Sequence, residues 1–109
     1  MDIGMQVSLA ILEAKSAAAK ATAEYLAQNG DGWPCGFAWV HASVKGNTRI
    51  GKALMANGFQ KSYGGGLQWW NPSDSFTQNM GAKEHGARVA ARVLSEKLGE
   101  SFYAQSRMD

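Results

Sequence analysis

The stretch "FQKSYGGGLQWWNP", Phe59 to Pro72, decides how this chain folds. Two short strands either side of Gly64-Gly65-Gly66 would make a hairpin. One bulged strand running through the glycines would make a single element. Short loops containing Gly commonly join hairpin strands, and three successive glycines suit a reversal better than a strand centre. The hairpin is therefore the favoured reading, with the bulged strand as its alternative. Pro72 and Ser73-Asp74 end the segment in both.

Upstream, "FAWVHASV" alternates in size. Phe37, Trp39 and His41 share one face, and Ala38, Val40 and Ala42 share the other, which predicts a strand with a bulky side and a small side. A helix follows from about Thr48 to Asn57, capped by Asn47 or Thr48 and stopped by Gly58. Ile50, Ala53 and Leu54 are its expected buried stripe. Downstream, a helix spans about Asn79 to Leu98, with Met80, Ala87, Ala91, Leu94 and Leu98 on its apolar face and Gly99 at its end. "SFYAQS" reads as a last strand, and the terminal "SRMD" as a frayed tail. From Phe37 onward the order is βαββαβ, that of a ferredoxin-like α+β domain; the bulged alternative gives βαβαβ.

Residues 3 to 28 are expected to form one long helix, capped by Asp2 and ended by Asn29-Gly30. Val7, Ile11, Ala14, Ala18, Ala21 and Tyr25 recur at spacings of four and three, forming a seam whose middle is all alanine. Such a helix is about 39 Å long, against a radius of gyration near 13 Å for a domain of this size. It must cross the whole body or extend to a second subunit. The alanine seam suits a helix pair, so a homo-oligomer through this helix is one expectation and packing on the sheet is the other.

A chain of 109 residues suits one domain, here 1–109, with the helix at 3–28 and the α/β core at 36–109. The net charge of +2 permits an anionic partner without requiring one. Cys35 is the sole cysteine, so no internal disulfide can form and a reducing compartment is expected. No apolar run suggests a membrane span and no basic leader opens the chain, which together predict a cytoplasmic location.

"KGNTRIGKA" comes close to a phosphate-binding loop, with four residues between Gly46 and Gly51-Lys52. Ala53 stands where such a loop needs a magnesium-binding hydroxyl. A cap at Asn47-Thr48 also places Gly51-Lys52 inside the helix. What remains is a basic helix start, with Lys45, Arg49 and Lys52 around it.

His41 and His85 lack metal-ligand spacing, and no second cysteine supports zinc, so no cofactor or metal is expected. No nucleophile, base and oxyanion donor can be assembled, which argues against an enzyme. The aromatics are more informative. Phe37 and Trp39 share a strand face, and either Trp69 or Trp70 can join them from a neighbouring strand. An open aromatic sheet face is how RNA-recognition domains stack bases, with Lys45, Lys61 and Arg107 available for phosphates. The competing expectation is that the N-terminal helix covers that face and buries the rings.

Together, "CGFAWV", "GGGLQWWNPS", "KEHGARVAARVL" and "YAQSRMD" resemble a pattern in small accessory proteins encoded by tailed phages and prophages. The resemblance covers residues 35–109. It implies a non-enzymatic phage protein that works in the host cytoplasm by binding, including the inhibition of host defence. The expected function is docking on a host protein or sequestering a small anionic, nucleotide-like ligand. Single-stranded nucleic-acid binding through the aromatic face is the alternative. The candidate site residues are Lys45, Arg49, Lys52, Tyr63, Gly65, Trp69, Trp70 and Arg107.

Overall fold

The computed structural model describes residues 1–32 and 34–109; Trp33, in the expected link between the first helix and the first strand, lies outside them. The elements in chain order are α1 (Ile3–Asn29), β1 (Gly36–Ala42), α2 (Arg49–Ala56), β2 (Gln60–Lys61), β3 (Leu67–Trp70), α3 (Met80–Leu98) and β4 (Phe102–Met108). The strands form one sheet in the order β2-β3-β1-β4, and every neighbouring pair is antiparallel. The protein is thus a mixed α+β fold with a long N-terminal helix.

The hairpin reading holds, and the single bulged strand is excluded. β2 pairs with β3 across a five-residue turn, closed by Ser62 N–H donating to Gly66 O at 3.0 Å. Gly65 and Gly66 have φ of 106° and 74°, a region that side chains other than Gly rarely enter.

Each helix starts where a side-chain oxygen takes up a free N–H. Asp2 accepts from Met5 N, Thr48 from Gly51 N and Asn79 from Ala82 N. Glycine ends α1 and α3: Gly30 and Gly99 both have positive φ, and each donates back to a carbonyl of the last turn. α2 ends at Asn57, followed by Gly58 at φ 111°.

The strand alternation sorts side chains by size. Ala38, Val40 and Ala42 of β1 are buried beneath the helices, in one cluster with Leu67 of β3, Phe102 of β4, Leu54 of α2 and Leu94 of α3. Burying a leucine such as Leu94 contributes roughly 1.5–3 kcal/mol.

α1 lies on this same side and not over the bulky face. Its seam, Val7, Ile11, Ala14, Ala18 and Ala21, is buried within the chain, mainly against α3 and partly against α2. Within the chain, α3 occupies this seam. The reason is a match of small residues. α3 buries Ala82, Gly86, Ala87, Ala90 and Ala91. A Cβ on Gly86 would lie 2.3 Å from Thr22 Oγ1 and 3.1 Å from Ala18 O, so only glycine allows the approach. Thr22 then donates to Ala82 O at 3.0 Å, which satisfies its buried hydroxyl. With about 40 Å of helix, α1 spans the 41 Å long axis of the molecule.

The tail is not frayed. β4 continues through Arg107 and Met108, which pair with Phe37 and Gly36, and Asp109 N–H donates to Cys35 O at 3.1 Å. Cys35 is a half-buried free thiol paired with Asn79 through an isolated bridge. Lys83 of α3 is buried and donates to Gly36 O at 3.1 Å. No helix among the described residues is long and apolar enough to cross a membrane.

Candidate ligand-binding face

The face of the sheet opposite the helices carries the rings. β1 contributes Phe37, Trp39 and His41. The register sets Trp70 of β3 against Trp39, and Tyr103, Gln105 and Arg107 of β4 against His41, Trp39 and Phe37. Because side chains alternate, cross-strand partners share a face. α1 packs on the other side, so the expected burial of these rings beneath it does not occur. Trp70 remains 39% exposed and Tyr103 42%.

The rings are locked to one another. Trp39 and Trp70 stack with centroids 4.5 Å apart, and Phe37 meets Trp70 edge-on at 6.2 Å. Trp39 Nε1–H donates to Gln105 Oε1 at 2.8 Å. The Arg107 guanidinium and the Lys83 ammonium lie 5.6 and 5.5 Å from the Phe37 centroid, within cation–π range. At the other end of β1, His41 and Tyr103 face each other at 5.0 Å. A surface held this way loses little side-chain entropy when a ligand arrives. Phe37, Trp39, His41, Gln60, Gln68, Trp70, Tyr103, Gln105 and Arg107 make up the face, and none is acidic.

At the His41–Tyr103 end, the face runs into a cavity of about 570 Å³. Ser43, Val44 and Lys45 after β1, Ser62 and Gly64–Gly66 of the hairpin turn, and Gln105 of β4 complete its wall. His41 Nδ1 is buried there with no hydrogen-bond partner. Among the described residues, no carboxylate lines this cavity.

The structure divides the residues expected to form the site. Trp70 and Arg107 share the face through Phe37, and Lys45 and Gly65 share the cavity. Trp69 does not belong with them: opposite Val40 in the register, it packs on Phe59 toward the core. Lys61 pairs with Leu67 and so points to the helical side, which removes it from the phosphate contacts expected on the face. Arg49 lines a separate hollow with Ile3, Ile50 and Leu98. Lys52 is exposed on α2, and Tyr63 is fully exposed at the hairpin turn.

The phosphate-loop spelling is explained by packing. Thr48 caps α2, and its hydroxyl also donates to Lys45 O at 2.7 Å. A Cβ on Gly51 would lie 2.0 Å from that same carbonyl, so Gly51 is glycine because the chain folds back over it.

His41, Tyr103 and Gln105 belong to the site without being among the candidate residues expected from the sequence. The signal for the last two was the alternation of "FYAQSRM", which puts Tyr103, Gln105 and Arg107 on one side. His41 needed the register, which sets it beside Tyr103.

Comparison of the chain with known protein families, with curated proteins and with solved structures finds no match.

Proposed function

We infer that the βαββαβ core is a ferredoxin-like, split βαβ unit and that it serves as a non-enzymatic binding domain for single-stranded nucleic acid. The observation that carries this reading is the carboxylate-free face of interlocked rings centred on the Trp39–Trp70 stack. Bases stack on aromatic side chains regardless of sequence, and a sheet of this size has room for two or three of them. Arg107 at one end and Lys45 at the other supply charge for the phosphates. Of the two functions expected from the sequence, this is the one supported by an uncovered bulky face. Docking on a protein has its own support in Phe76 and Tyr63, both fully exposed on loops.

Fluorescence anisotropy with labelled single strands tests the reading. Trp70→Ala should weaken binding about tenfold or more, since stacking is worth ~1–3 kcal/mol per base. With about two basic contacts, log K should fall against log salt with a slope near −1.4, far shallower than for a groove lined by lysines. Absence of binding to any strand at low salt would remove the nucleic-acid reading and leave protein docking.

A further inference from the structure

The cavity beside the glycine turn has chemistry of its own. Its volume of about 570 Å³ falls in the range of small-molecule sites and exceeds what one water cluster needs. Among the described residues, Lys45 brings the one formal cation to its wall. Ser43, Ser62 and Tyr103 bring hydroxyls, Gln105 a carboxamide and His41 an imidazole. Each of these can donate a hydrogen bond, and no Asp or Glu competes with them. A wall rich in donors, with one ammonium and no carboxylate, complements a group with several anionic acceptor oxygens.

The three glycines of the turn are not equivalent. Gly65 and Gly66 are required by their positive φ, and a Cβ on Gly66 would also lie 2.6 Å from Ala42 O and 2.7 Å from His41 Nε2. Gly64 has neither constraint: its φ is not in the positive range, and a Cβ there would meet nothing within 4 Å. The fold accepts a side chain at this position of the cavity wall. A glycine that the fold does not need leaves the backbone open to close approach by a ligand.

We propose that this cavity seats a phosphate monoester, with Lys45 as its counter-ion, the Gly64 backbone against its oxygens, and Tyr103 and His41 beside the attached nucleoside. Tyr103, His41 and Gln105 belong to both the cavity and the open face. The terminus of a bound strand would therefore enter directly, and in that form the proposal rests on the strand-binding reading. A free mononucleotide carries the same chemistry.

The test is an NMR titration of the full chain with a nucleoside 5′-monophosphate and with the matching nucleoside, following the amides of Lys45 and Gly64–Gly66. The monophosphate should give saturable shifts and bind about tenfold or more tighter than the nucleoside. Lys45→Gln should abolish that preference with an unchanged melting temperature, and Gly64→Ala should weaken the monophosphate without lowering the melting temperature. Equal shifts from nucleoside and monophosphate, or a preference that survives Lys45→Gln, would overturn the proposal. Strands with and without a terminal phosphate, compared by anisotropy, identify the source. A preference for the phosphorylated strand that Lys45→Gln removes assigns the pocket to a strand end. A monophosphate preference with no strand preference assigns it to a free nucleotide. Strand binding with no phosphate preference of either kind would sink the pocket and keep the face; monophosphate binding without strand binding would do the reverse.

Discussion

The two faces of the sheet are built from the same four strands and have opposite contents. Toward the helices, β1 presents Ala38, Val40 and Ala42, all buried. Away from them it presents Phe37, Trp39 and His41, all partly exposed. Small residues on one side let the helical layer close down on the sheet. The same choice leaves the large rings on the side away from the helices. Burial on the first face holds the fold, whereas the second face is ordered mostly by its own ring–ring contacts, so stability and binding should separate by face.

The sharpest way to break that separation is to compare Leu94→Ala with changes on the open face. Leu94 is fully buried under the helices, and its truncation should cost about 3 kcal/mol by urea unfolding. Gly86→Val should follow at about 2 kcal/mol, because its first methyl group meets Thr22 Oγ1 and the backbone of Ala18. Trp70→Ala, larger in atoms removed, should cost only about 1 kcal/mol, near the worth of one aromatic pair, because the ring is already partly in water. If Trp70→Ala destabilises as much as Leu94→Ala, the open face is structural and the two-face description fails.

Much of this division was legible in the sequence. The size alternation of "FAWVHASV" set the two faces of β1, and Asp2, Thr48, Asn79 and the glycines set the helix ends to within about two residues. The face covered by α1 was not legible. An alanine seam suits a second subunit, a sheet or another helix equally well, and the choice is made by Gly86 and Ala82 on α3, sixty residues away in the chain from Thr22. The choice between Trp69 and Trp70 likewise depends on register: opposite Trp39 the residue is Trp70, and a slip of one position would exchange them. The cavity was hidden for a related reason. Lys45, the glycine turn and Tyr103 come from three segments, and only the order β2-β3-β1-β4 sets them around one end of β1.

The smallest effect separates two glycines of one turn. Gly66→Ala places a methyl group 2.6 Å from the Ala42 carbonyl at a positive φ, and it should destabilise the protein by about 1–3 kcal/mol. Gly64→Ala meets no neighbour and has no positive φ, so its folded state should be unchanged. Its unfolded state loses freedom instead, and the variant should be more stable than the parent by about 0.5 kcal/mol. Paired urea titrations read both. A loss of stability at Gly64 comparable to that at Gly66 would mean that the turn itself requires the glycine, leaving ligand approach with nothing to explain.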